Sequence, residues 1–362
     1  MSEIDENFDW SGFLGRPLMA VPEPEALASL IGQRILITGA GGSIASALLR
    51  RLLQLGCRRL ILLESSESHL YALEPLLALY PGAATPILGS VAEGSLLETL
   101  FRRYRPALVF HTAACKQVPL LESQPFAAIA NNIFATESLL AAARRHHVRL
   151  LLLSTDKAVA PGSIMGATKA VAEQLALAHG QSALRLANVL GSRDSVVHRF
   201  AQQIRHGQPM SLTSATASRY FITLDEAVSL LLAASLAPDR PALFIPTLEK
   251  PHRIADLAEF LAARLAPAQK IAVQLTAPRP GDKESEALHA PAESASGTEH
   301  PSLLRLNTAA KPVDSIALAS LREALARHRL AAALRALGQL VPDYTPTPQL
   351  LRLAAESQAE GF

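Results

Sequence analysis

The sequence predicts an α/β fold, a doubly wound parallel sheet with a smaller C-terminal domain appended. Three observations predict it. From Arg34 onward short aliphatic runs alternate with longer helical ones, the rhythm of parallel strands joined by crossover helices. The aliphatic runs are almost continuously apolar, which suits strands covered on both faces. The first run leads directly into Thr38-Gly39-Ala40-Gly41-Gly42-Ser43-Ile44-Ala45, a small-residue turn that opens a helix.

Taken in order, residues 1–30 read as an N-terminal arm, turn-rich at Gly15, Arg16 and Pro17, with a short helix at 25–31. Strands are expected at 34–38, 59–63, 85–88, 107–111, 149–154 and 183–186, where aliphatic runs are bounded by turns or charges. Helices are expected between them at 43–54, 96–103, 137–146 and 167–179. After Asn188 the rhythm loosens into a helix at 200–207, a strand or turn at 220–224, a helix at 225–236 and a last strand at 242–246 that returns to the sheet. The small, polar stretch 290–300 reads as a mobile surface loop. Amphipathic helices fill 314–340, and Pro342, Pro346 and Pro348 punctuate a tail at 341–362. The layout expected is a dinucleotide-binding domain at 31–190, completed by about 214–248, with a substrate region at 191–213 and 249–340.

Composition narrows the function classes. Hydrophobic residues make up 49% and charged residues 18% of 362, enough for a sizeable core and against wholesale disorder. A formal net charge of +2 argues against a dedicated nucleic-acid binder. The two cysteines, Cys57 and Cys115, form no disulfide framework and no pair has metal-ligand spacing, so no metal site is expected. The N-terminus, Met1-Ser2-Glu3-Ile4-Asp5-Glu6, lacks the basic and apolar regions of a secretory signal. No apolar run approaches the ~20 residues that span a bilayer, and no direct membrane insertion is expected. A cytoplasmic protein fits these features.

The glycine turn carries the first chemical signal. Small residues there let the backbone turn tightly and approach a pyrophosphate at the positive end of the following helix, which makes the fold Rossmann-type. Glu64 ends the second strand about 20 residues on, where an acid bonds the adenosine ribose hydroxyls. Its carboxylate would repel a 2′-phosphate, so NAD is favoured over NADP, although Arg58 and Arg59 just upstream keep NADP open.

The second signal is the apolar run 151–154, which ends in Thr155-Asp156-Lys157 and is followed by Met165-Gly166-Ala167-Thr168-Lys169. In short-chain dehydrogenases a Tyr-x-x-x-Lys pair shares one face of such a helix. Here Met165 stands at the tyrosine position, and a thioether cannot shuttle protons. Acid–base work then falls to Thr155, Asp156 and Lys157. His111, at a strand end, reads as a satisfied structural histidine, and Cys115 as a small apolar residue.

Together these segments resemble the UDP-N-acetylglucosamine 4,6-dehydratases and capsule-biosynthesis proteins of the extended short-chain dehydrogenase superfamily, specifically the soluble catalytic half of their long, membrane-anchored members. The likeness runs from Leu14-Gly15-Arg16-Pro17 to Tyr344-Thr345-Pro346. Between these it includes Glu64 to Tyr71, His111 to Lys116, Ser154 to Val159, Asn188 to Arg193, Arg219-Tyr220-Phe221 and Arg279-Pro280-Gly281-Asp282-Lys283. The resemblance implies tightly held NAD(P) and a three-step reaction: hydride leaves C4 of the sugar, water is eliminated across C5 and C6, and the hydride returns to C6. It implies that neutral Lys157 removes the C5 proton, that protonated Asp156 donates to the departing hydroxyl, and that Thr155 bonds the C4 hydroxyl. Lys169 holds the nicotinamide ribose.

The implied cofactor contacts are Thr38, Gly39, Gly41, Gly42, Ser43, Ile44, Glu64, Ser65, Ser66, Ser90, Val91, Ala113, Ala114, Lys116, Asn132 and Lys169. Lys116, Asn188, Arg193, Ser195, Arg219 and Arg279 meet the UDP-sugar, the arginines at its phosphates. Pairing of two copies through the apolar stretches 129–143 and 167–177, as a four-helix bundle, is a further expectation. The chain departs from the pattern at Ala45, Ser90, Cys115, Gln117, Ala160, Ala187, Asp194, His198 and Ser285. Several of these face the sugar side, so the likeness supports the chemistry more firmly than the sugar. The alternatives are a nucleotide-sugar epimerase or reductase on the same scaffold, against which Met165 weighs, and a non-catalytic NAD(P)-binding sensor or assembly protein.

Overall fold

The expected strands form where the aliphatic runs lie: β1 Ile35–Thr38, β2 Leu60–Glu64, β3 Ala84–Leu88, β4 Leu108–His111, β5 Arg149–Thr155 and β6 Ser182–Leu186. A computed structural model describes residues 8–238, 241–308 and 312–359, so the outermost parts of the expected arm and tail lie outside the described residues. β7 Leu243–Pro246, β8 Ala295–Gly297 and β9 Leu303–Leu306 complete a nine-stranded sheet of order β8-β9-β7-β6-β5-β4-β1-β2-β3. Neighbours from β3 to β7 pair in parallel, and β9 runs antiparallel to both β7 and β8.

β1, β2, β4 and β6 are buried along their whole length, including the polar residues Thr38, Glu64, His111, Ser182 and Arg185 that they carry. β3 is half-exposed and contains Pro86, which an edge strand tolerates because one row of its backbone groups has no partner to lose. Two expectations are corrected at the other edge. The strand at 242–246 is not the last to join the sheet, and the stretch 290–300 is not simply a loop, because it contributes β8. β8 is short, polar and exposed on every residue, so it is held by its ladder to β9 and its side chains carry no strand pattern.

The longer helices are α1 Ser43–Gln54, α2 Gly94–Tyr104, α3 Val118–Ser123, α4 Pro125–Arg145, α5 Ile164–Ala178, α6 Val196–Arg205, α7 Leu224–Leu236, α8 Ile254–Leu265, α9 Ser315–Ala326, α10 Leu330–Leu340 and α11 Pro348–Ala359. α4 is continuous because a π-turn at Ile129–Ala135 joins its two ends. By length and composition its 21 residues could cross a bilayer, which corrects the expectation that no run approaches that length. Much of it is buried inside the fold, as in a core helix.

α4 and α5 were expected to offer an apolar face to a second copy. The chain's own C-terminal helices pack against parts of both. The Gln174 side chain of α5 donates to the Leu340 carbonyl at 3.0 Å, Arg322 of α9 lies 4.2 Å from the centre of the Phe134 ring, and Thr345 N–H donates to the Pro161 carbonyl at 3.1 Å. A second, smaller core gathers Trp10, Phe13 and Leu14 of the N-terminal segment with Phe200 of α6 and Leu257 and Leu261 of α8.

His111 illustrates how the sheet fixes one protonation state. Its ring is fully buried between the hydroxyls of Thr38, at 2.8 Å, and Thr136, at 2.9 Å. Burial, aided by the nearby Lys169, holds its pKa down to about 3. The unfolded chain therefore takes up this proton first, near pH ~6.5. The contribution is fully present above that pH and is lost as pH falls towards 3. The urea midpoint of the wild type is expected to fall more steeply between these limits than that of His111→Gln. Parallel profiles would contradict the assignment.

Candidate active site

Strand order reverses between β1 and β4, and in open α/β sheets ligands sit outside the carboxyl ends of the strands at such a switch point. A cleft of about 470 Å³ opens there. Gly39, with φ of +66°, starts its floor, and a Cβ on that residue would lie 2.7 Å from the Ala113 Cα. α1 begins after Gly42 with no side chain capping its first turn. The helix thus presents bare N–H groups and its positive end to the cleft, as a bound pyrophosphate requires.

Glu64 is buried beside this loop. One carboxylate oxygen accepts from Gly41 N–H and the other from Ser66 N–H, both at 3.0 Å. It braces the glycine turn while keeping lone pairs for ribose hydroxyls, so it is no solvated loop acid. The uncapped helix end, the Gly39 approach and this acid fit a dinucleotide.

The other half of the cleft is built by β5 and α5. At the end of β5, Asp156 Oδ1 accepts from Thr155 Oγ1 at 2.8 Å and from Lys157 Nζ at 2.9 Å. Asn188 completes the group, giving an Nδ2 hydrogen bond to Asp156 Oδ2 and taking one from Lys157 Nζ, both at 3.2 Å. Asp156 itself has no exposed surface, whereas Thr155, Lys157 and Asn188 line the cleft. Met165 and Lys169, one helical turn apart on α5, face the same space. Lys169 donates to the Leu153 carbonyl at 2.7 Å, and burial draws its pKa down to about 8.

Gly166 is what lets α5 come this close. A Cβ there would collide with the Lys157 carbonyl oxygen. In an open helix Gly→Ala gains stability, but here the sign reverses. Gly166→Ala is expected to cost about 1–3 kcal/mol by overpacking and, by displacing Lys157, to lower turnover about a hundredfold. Urea unfolding and a steady-state assay on the same sample check both; a stabilised, fully active variant would refute the packing argument.

The structure brings most of the expected residues to the wall: Gly39, Gly42, Ser43, Ile44, Glu64, Ser65, Ser90, Val91, Ala113, Ala114, Lys116, Thr155, Lys157, Met165, Lys169, Asn188 and Arg193. Lys116 donates to the Arg193 carbonyl at 2.8 Å, Arg193 N–H donates to Ser43 Oγ at 2.9 Å, and desolvation lowers the Lys116 pKa. These bonds tie the 192–194 loop across the glycine helix.

Other expected residues stand behind or away from the wall. Thr38 bonds His111, Gly41 and Ser66 bond Glu64, and Asp156 is enclosed as described. Asn132 is buried and braces Cys115 through both its backbone N–H and its carbonyl, at 2.9 and 3.0 Å. Ser195 faces His198. Arg219 donates to the carbonyls of Ser218, Lys283 and Glu284, and exposed Arg279 pairs with Asp282. Neither guanidinium is brought to the cleft, because both are engaged in holding the 279–284 loop.

Sequence reasoning missed Asn131, His69, Thr112 and Ser192 on the wall, whereas Asp194, expected in a segment facing the sugar nucleotide, lies there. Asn131 is turned there by the π-turn of α4, which no residue pattern announces. His69 lay within the Glu64 to Tyr71 segment and carried no separate signal. Cys115 also lines the cleft, and burial raises its thiol pKa, consistent with an inert apolar residue.

Comparison with known proteins agrees with this geometry. The capsular polysaccharide biosynthesis protein CapD of Staphylococcus aureus is 34% identical over 287 residues, 76% of this chain and 48% of that protein. The chain thus spans about half the length of that relative. Among solved structures, Pen from Bacillus thuringiensis matches with a TM-score of 0.72 at 26% identity, over 76% of this chain and 88% of that one. DesIV of Streptomyces venezuelae, a dTDP-glucose 4,6-dehydratase crystallised with NAD, shares the fold at a TM-score of 0.64 and 20% identity, over 70% of this chain and 88% of that one. The likeness places the fold among Rossmann-type extended short-chain dehydrogenases. A family model described as polysaccharide biosynthesis protein matches residues 35–308, and the chain belongs to that family.

Proposed function

We propose that this chain is an NAD-dependent nucleotide-sugar 4,6-dehydratase that works in the cytoplasm on UDP-N-acetylglucosamine or a related UDP-sugar, giving a 4-keto-6-deoxy sugar for glycan assembly. The observation that carries the reading is the Thr155, Asp156, Lys157 and Asn188 cluster, placed at the cleft beside a methionine where a catalytic tyrosine would otherwise stand. Without a phenol, proton transfer rests on that cluster.

Glu64 and the bare end of α1 hold the dinucleotide, and Lys169 holds its nicotinamide ribose. When bound, NAD would supply the hydride chemistry, oxidation at C4 and reduction at C6. Thr155 holds the C4 hydroxyl and passes its proton to Asp156 as the hydride leaves. Once C4 is a ketone the C5 proton is acidic, and Lys157 Nζ, on the wall, removes it. Asp156 lies one hydrogen bond behind the wall and gives its proton to the departing C6 hydroxyl through Thr155. Lys157 Nζ then returns its proton to C5 as the hydride reaches C6, so both groups end as they began and one water leaves. Lys116, Asn188 and Arg193 line the sugar-nucleotide side.

A substrate deuterated at C4 tests the reading. A dehydratase moves the label to C6 of the product. An epimerase returns it to C4, and that result would replace this proposal with the isomerase alternative.

A further inference from the structure

The two ends of the sheet differ in charge. The carboxyl end holds the cleft. The opposite end is a rim of arginines that follows the spatial order of the strands. Arg58 and Arg59 lead into β2, Arg34 into β1 and Arg105 into β4, while Arg149 opens β5. All five are exposed. The rim is continuous: Arg34 Nε donates to the Arg105 carbonyl at 2.7 Å, and Arg149 donates to the Gln33 side chain at 3.3 Å. α2 and α4 each end at the same rim with two arginines in the last turn.

Arginine at a helix C-terminus complements the helix dipole and by itself implies no partner. That account covers Arg58, which donates to the Leu53 carbonyl in the last turn of α1, Arg34, which donates to the Arg105 carbonyl at the end of α2, and Arg105 itself, but it does not reach Arg59 and Arg149. Nor is the rim neutralised, since among the described residues its only ion pairs are those of Arg145 and His146 with Glu98. In a chain of net charge +2, this concentration on one end means that the rest of the surface is close to neutral or acidic. Two exposed aliphatic side chains flank it, Ile31 before β1 and Leu79 before β3, at 51% and 73% exposure.

We propose that this rim docks the protein on an anionic bilayer surface, its guanidinium groups meeting acidic phospholipid headgroups. Charge complementarity selects an anionic partner. A row of strand starts and helix ends offers a broad edge to a surface. Ile31 and Leu79 suit an interface that accepts aliphatic groups among the headgroups. Docked in this way, the protein turns its cleft away from the membrane, open to soluble substrate.

The test is co-sedimentation of the full chain with vesicles of phosphatidylglycerol and phosphatidylcholine, against phosphatidylcholine alone. Binding is expected only to the anionic vesicles and falls at least about tenfold from low salt to ~0.5 M NaCl. A variant carrying Arg59→Ser, Arg103→Ser, Arg105→Ser and Arg144→Ser, whose side chains make no described hydrogen bond, binds at least about tenfold more weakly while its far-UV circular dichroism is unchanged. Ile31→Ser with Leu79→Ser weakens vesicle binding but leaves heparin binding unchanged. No binding to anionic vesicles at low salt overturns the proposal, as does equal binding by the arginine variant. Tighter binding to single-stranded RNA than to vesicles overturns the assignment to lipid.

Discussion

Asp156→Asn is expected to lower dehydration of the nucleotide sugar about a thousandfold, within the range that a positioned proton donor contributes, while NAD affinity changes less than about twofold. Asparagine keeps the volume of the side chain, and its oxygen can still accept from Thr155 and Lys157. What it loses is the proton. It also presents an amide nitrogen to Asn188 Nδ2, two donors face to face, so the Asn188 amide must turn and release Lys157. Because Asp156 is enclosed and touches none of the expected cofactor positions, binding and turnover should separate cleanly. Turnover that survives the substitution removes Asp156 from the mechanism.

Arg185→Met is expected to cost about 3–5 kcal/mol of stability, the usual consequence of removing one partner from a buried ion network. Arg185 on β6 is almost unexposed and is held charged by its partners. It donates through Nε and NH2 to Glu173 of α5 at 2.8–3.1 Å, and through NH1 and NH2 to Glu293 at 2.8 and 3.2 Å. Glu173 also accepts from Ser154 Oγ at 2.6 Å. Methionine fills the space but strands a carboxylate that is 4% exposed. Urea unfolding measures the loss, and Arg185→Met with Glu173→Leu should recover much of it by removing the orphan charge. A loss below about 1 kcal/mol for the single variant would show that the network is not coupled as described.

That network shows where the sequence stops being legible. α1 was read to its exact ends because a glycine turn, a strand before it and an amphipathic run after it are all local signals. The Thr155 to Lys157 turn and the one-turn spacing of Met165 and Lys169 are local too, which is why this half of the cleft was visible beforehand. Arg185 and Glu293 are far apart in sequence, and nothing near either one names the other. The same holds for Arg219, whose type suggested a phosphate but whose guanidinium meets backbone carbonyls contributed by a later loop. β8 was hidden because an exposed edge strand needs no apolar alternation. The packing of α9 and α10 against parts of α4 and α5 was hidden because apolarity marks a face for burial without saying what buries it.

The central claim is elimination of water at this cleft. Its most direct test is incubation of the purified protein with UDP-N-acetylglucosamine, with and without added NAD, followed by mass spectrometry of the nucleotide sugar. The proposal predicts a product lighter by one water, formed by the wild type and not by Asp156→Asn. An unchanged sugar nucleotide beside protein-bound NAD, repeated across related UDP-sugars, would contradict it and leave a dinucleotide-binding protein without this chemistry.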